Sequence, residues 1–154
     1  MIDAKTDCEA LLNVALPFAE QMLSAHGEFY PFGNTMGPDG KITDVAAATG
    51  SEHPASTDLI QILREGFIAG ARRGEFRATA LAYDIRTILP ATGMKSDAVA
   101  VACDHEANYS VIVILPYALA GSKVNFGDAF AQQGDAAIFV RKPESDGGPP
   151  APRR

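Results

Sequence analysis

The residues best placed for chemistry lie in the middle of the chain. Along 75–89 (EFRATALAYDIRTIL), strand alternation puts Phe76, Ala78, Ala80 and Ala82 on one face, and that face continues as Asp84 and Arg86. Two charges entering a face that began apolar have two outcomes. They emerge into solvent as an ion pair, or they form a partly buried polar site. Lys95 and Asp97, at the start of the next strand, are positioned to join them, with His105 further along. Asp84, Arg86, Lys95 and Asp97 are thus the candidate residues of a ligand-binding or enzymatic site. Tyr83, on the opposite face with Thr79, Leu81 and Ile85, is a neighbouring candidate.

A second candidate is aromatic. In Phe29-Tyr30-Pro31-Phe32, alternation puts Tyr30 and Phe32 on one face with Glu28 and turns Phe29 toward the core. Exposed on a hairpin, Tyr30 and Phe32 would suit a peptide or small molecule; buried, they are core. The histidines promise less. His26 precedes Gly27 as a helix cap, His53 sits in a loop beside Glu52, and Asp104-His105-Glu106 reads as a hairpin turn. On a strand, Asp104 and Glu106 would face away from His105, so these three cannot converge on a metal. Cys8 and Cys103 have no CxxC partner and read as small buried hydrophobes. No nucleophile elbow, phosphate loop, dinucleotide fingerprint or zinc helix motif occurs. No catalytic residue, metal ligand or cofactor is therefore assigned.

These residues must be positioned by a small set of elements. Leu11, Leu12, Ala15, Phe18, Ala19, Met22 and Leu23 recur at helical spacing, predicting a helix from a Thr6 cap to a Gly27 stop, kinked or restarted at Pro17. Gly37-Pro38-Asp39-Gly40 predicts a hairpin turn between arms at 28–36 and 41–48, with Pro31 making the first arm an edge strand or a bulge. A second helix runs from Ser56 to Gly74, with Gly66 and Gly70 on one face for close approach to a sheet. Strands follow at 75–89, 97–104 and 109–117, then a short amphipathic piece at 128–133 and a last strand at 136–141. The order α-β-β-α-β-β-β-(α)-β predicts an α+β fold. Its sheet would be largely antiparallel, with five to six strands flanked by two main helices. That order is similar to roadblock/longin-like and profilin-like domains. Both sheet faces read as apolar, and two helices suffice for only one of them. The other would be covered by the C-terminal pieces, a second copy or a different protein.

The chain has 154 residues, 47% of them hydrophobic. That suits a single domain over 1–142, followed by a disordered proline-rich tail at 143–154 (PESDGGPPAPRR). Thirteen basic against 19 acidic residues give a net charge of −6, the wrong sign for nucleic acid. No apolar run approaches the roughly 20 residues of a membrane span. With no secretory pattern at its start, the chain reads as cytoplasmic. The stretches AEQMLSAHGEFYPFG, LAYDIR, KSDAVAV and ILPY resemble those of a group of small bacterial proteins without assigned activity. The resemblance implies a bacterial, cytoplasmic, stand-alone protein. The function expected is a non-enzymatic interaction module, with a protein partner or self-association, either immunity-type or a homodimeric scaffold. The alternative is the ligand-binding or enzymatic site around Asp84.

Overall fold

Leu11, Ala15, Ala19 and Leu23 form the buried stripe of helix α1 (Ala4–His26) in the computed structural model, which describes residues 3–139. The helix starts earlier than its spacing predicts. Asp3 rather than Thr6 is the cap, accepting from the Lys5 N–H at 3.1 Å and the Thr6 hydroxyl at 2.7 Å. Gly27 ends it in the left-handed conformation, its N–H bonded to the Leu23 carbonyl at 2.8 Å. Pro17 does not restart the helix, which runs through it unbroken. The carbonyl that Pro17 leaves without a donor belongs to Asn13, an exposed residue that water can serve.

The strands are β1 (Phe32–Met36), β2 (Ile42–Val45), β3 (Ala78–Ile88), β4 (Lys95–His105), β5 (Tyr109–Ala120), β6 (Lys123–Phe126) and β7 (Phe130–Gln133), with helix α2 (Ser56–Arg72) between β2 and β3. They form one antiparallel sheet in the order β2-β1-β3-β4-β5-β6, with β7 also pairing with β5. The α+β class and antiparallel sheet are as expected, with seven strands among the described residues where five or six were predicted. The piece expected to be helical at 128–133 is instead strand β7, because β5 has an open edge there to pair with. Residues 136–139 pack without forming a strand. The remainder of that predicted strand, and the predicted tail, lie outside the described residues. Pro31 falls just before β1, so β1 is an inner strand and β2 is the edge.

The strand alternation sorts the core into two layers. Ala78, Ala80, Ala82, Val99, Val101 and Cys103 pack with α1 on one face. On the other, Leu81 packs with Leu63 and Phe67 of α2 and with Ile138. Helix α2 lies mainly over β1 and β3. The two helices therefore lie on opposite faces instead of sharing one as expected, and the segment after β7 covers part of the second face beside α2. Asp104 of β4 ties that segment down, accepting from the Ile138 N–H at 3.3 Å and the Ser110 hydroxyl at 3.1 Å. Ser110 Oγ in turn accepts from the Ala136 N–H at 3.1 Å. Two glycines permit this layering. A Cβ at Gly33 would stand 2.6 Å from the Phe67 ring, and one at Gly70 would stand 2.2 Å from the Phe76 ring.

Candidate functional site

Of the polar residues singled out from the sequence, Arg86 and Asp97 satisfy each other, whereas Asp84 finds its partner in Tyr117. Register pairs Arg86 with Asp97, and their side chains form an ion pair at 3.0 Å. Both are more than half exposed, at 65% and 51%, so the pair is worth about 0–1 kcal/mol. Asp84, one step inward on the same face, accepts from the Tyr117 hydroxyl at 2.8 Å. Burial pushes the Asp84 carboxyl up, an effect that bond partly offsets and the carboxylates of Asp97 and Glu28 reinforce. The Tyr117 phenol is pushed up in turn, by burial and then by Asp84. Lys95 lies opposite Ile88, at the rim of a wide-mouthed depression of about 780 Å³ that also borders Arg86. Tyr83 faces the other layer, with Leu81 and Ile138. Tyr30 stands exposed outside any strand, while Phe32 is half-buried against Phe18 and Phe29. The seven sequence-predicted residues therefore occupy three separate places. Phe29 and Phe32 belong to one core layer, not to opposite faces.

A buried polar network lies where no motif pointed. The Asp7 carboxylate receives Nε and Nη2 of Arg77, each at 3.1 Å, and lies 2.8 Å from Nε2 of His105. Nδ1 of His105 accepts from the Ala107 N–H at 3.0 Å, which assigns the remaining ring proton to Nε2, donated to Asp7. Arg77 also donates to the Pro38 carbonyl at 2.9 Å. Burial pushes Asp7 up, but the bonds from His105 and Arg77 outweigh it and hold the carboxyl below its ordinary range. Both His105 nitrogens are thus committed inside the protein, and the side chain is fully enclosed. His105 ends β4 rather than sitting in the exposed turn its neighbours suggested. It ties α1 to the sheet and has no free nitrogen to act as a base.

The two cysteines are neighbours across the α1–β4 interface, with Cys103 Sγ 4.0 Å from the Cys8 carbonyl. A hydrogen bond with the Cys8 side chain and burial raise the Cys103 thiol well above its ordinary value, which suppresses the thiolate. Among the described residues no group of three or more His, Cys, Asp or Glu side chains converges as for a metal, and no helix is long and apolar enough to cross a membrane.

A second, more apolar concave surface lies beside the sheet edge. Val14, Pro17 and Phe18 of α1 form one wall, Asp44, Val45 and Ala46 the other, and Phe32 lies between them. The space is about 390 Å³, within the roughly 300–1,000 Å³ of small-ligand and side-chain pockets. Its lining is mostly apolar, and Phe18 is 45% exposed there. Spacing had placed Phe18 in the buried stripe. The stripe that actually packs is narrower, and Val14, Pro17 and Phe18 fall on its flank, where α1 passes toward β2. One signal was available: α1 is apolar over a wider arc than one contact surface needs. Comparison of the chain with protein-family models, with curated proteins and with solved structures gives no match.

Proposed function

We propose that this protein is a non-enzymatic interaction module, cytoplasmic and bacterial, that receives part of another protein in the groove between α1 and β2. The observation that carries this reading is the exposure of Phe18 and Val14 over an apolar groove beside an open sheet edge. Exposed apolar surface of this kind costs free energy until a partner covers it. The net charge of −6 fits the immunity-type version, in which a basic partner is steered in by long-range attraction. The alternative around Asp84 has less support. Arg86 and Asp97 pair with each other and Asp84 is engaged by Tyr117, so each of these charges already has a partner within the protein.

The test is a tagged pull-down with wild type and Phe18→Glu, washed at low and high salt, with light scattering on the pure proteins. A stoichiometric partner held by wild type and lost by Phe18→Glu is expected. Capture weakened by salt supports steering. A dimer abolished by Phe18→Glu would make the partner a second copy. Equal capture by both forms would overturn the groove as the binding surface.

A further inference from the structure

We infer that the segment bound in this groove is an extended strand that adds to the open edge of β2, carrying a Lys or Arg to Asp44 and an apolar side chain against Phe18. This rests on the groove being the binding surface and specifies what enters it.

Among the described residues strand β2 is paired on one side only, with β1. The phase of that pairing is set at the turn, where the Gly37 N–H bonds to the Lys41 carbonyl at 2.9 Å. In an antiparallel ladder bonded and non-bonded pairs alternate. Thr43 and Val45, opposite Thr35 and Gly33, are then the bonded positions, and Ile42 and Asp44 turn their N–H and C=O groups outward to the free edge. Those same two residues put their side chains on the α1 face, since their partners are Met36 and Asn34 and Ile42 packs in the α1 layer. An added strand would therefore find backbone partners at Ile42 and Asp44. With its period of two, it would aim every other side chain into the space under α1.

The alternatives fit less well. A helix satisfies its own backbone, so laid in this groove it would remove water from the outward groups of β2 without replacing the hydrogen bonds. A second copy pairing through its own β2 would bring Asp44 toward Asp44. Among the described residues Asp44 makes no ion pair and no side-chain hydrogen bond, and it lines the groove. A carboxylate at a sheet edge discourages indiscriminate pairing and admits a strand that brings a cation.

The experiment selects short random peptides displayed on phage against the immobilised full chain, then measures the enriched peptides in solution. Enrichment of period-two apolar patterns containing Lys or Arg is expected. Asp44→Pro removes one outward N–H and no bond to β1, and should weaken the enriched peptide about tenfold. Asp44→Asn should weaken it less, and Phe18→Glu should abolish it. Should Asp44→Pro fold poorly, amide exchange on wild type gives the same answer. Peptide addition should then slow Ile42 and Asp44, while Thr43 is already protected. Peptides with helical or proline-rich patterns, or undiminished binding by Asp44→Pro with unchanged exchange at Ile42 and Asp44, would overturn strand addition and leave the groove standing. No enrichment, or full binding by Phe18→Glu, would overturn the groove itself. A wild-type dimer lost in Asp44→Pro would replace the foreign strand with a second copy.

Discussion

The two halves of α1 meet the same sheet in opposite ways. In its first turns Asp7 is locked to Arg77 and His105, Cys8 lies against Cys103, and the surface is closed. Two turns later Val14, Pro17 and Phe18 lean past β1 toward the edge strand, and a groove opens beneath them. Asp7, Arg77 and His105, of which only His105 drew notice in the sequence, act as a clasp. Phe18, which spacing assigns to the buried stripe, is accessible, as is Val14 beside it. A cluster of ionisable groups is a candidate for function only while some of its bonding capacity faces outward, and the capacity of Asp7 and His105 is consumed inside.

Breaking the clasp has the largest expected effect. Asp7→Ala leaves the enclosed His105 N–H and the half-buried Arg77 without their acceptor, and should cost about 3–5 kcal/mol in urea unfolding. Because the folded-state pKa of Asp7 is depressed, its contribution is present above the ordinary value of 3.8 and is lost as pH falls through the folded value below it. The acid limb of the wild-type stability profile should therefore flatten in Asp7→Ala. An unchanged limb would mean that other carboxylates carry the acid sensitivity.

A smaller effect is expected at Gly33, which borders the groove on one side and Phe67 on the other. Its missing Cβ makes room for both the Phe67 ring and the Ala80 carbonyl, each 2.6 Å from where that atom would lie. Gly33→Ala should destabilise by about 1–3 kcal/mol and shift β1, altering the groove as it does so. A stable Gly33→Ala protein with a narrowed groove would sharpen the contrast, since it would separate binding from folding. The smallest effect belongs to the cluster around Asp84. Tyr117→Phe removes one hydrogen bond to a partly buried carboxylate and should cost about 1 kcal/mol in thermal unfolding, with no change in peptide binding. A loss of binding there would move the functional surface from the groove to the strand ends.

Much of the fold is legible in the residues. The spacing of Leu11, Ala15, Ala19 and Leu23, the Gly37–Gly40 turn and the apolar runs of β4 and β5 each declare their element over a few positions. Alternation also put Asp84 and Arg86 on one face and suggested Asp97 as a companion, which the register bears out. Strands β6 and β7 were missed. Four residues carry too little pattern to be told from a helical fragment until β5 offers them an edge. The groove was missed for a different reason. Periodicity says which residues share a helix flank, but not whether that flank meets a sheet or overhangs it.

What the sequence by itself determined is therefore local: where helices and turns occur, which side chains alternate, and the acidic balance. Those follow from propensities and periods acting over a few residues. The tertiary structure alone decided that Asp7 meets a histidine 98 positions away and an arginine 70 away. It alone also decided that Phe18 stands over a groove. Both depend on where α1 crosses a sheet whose strands come from distant parts of the chain, and that crossing is set by the packing of the whole core.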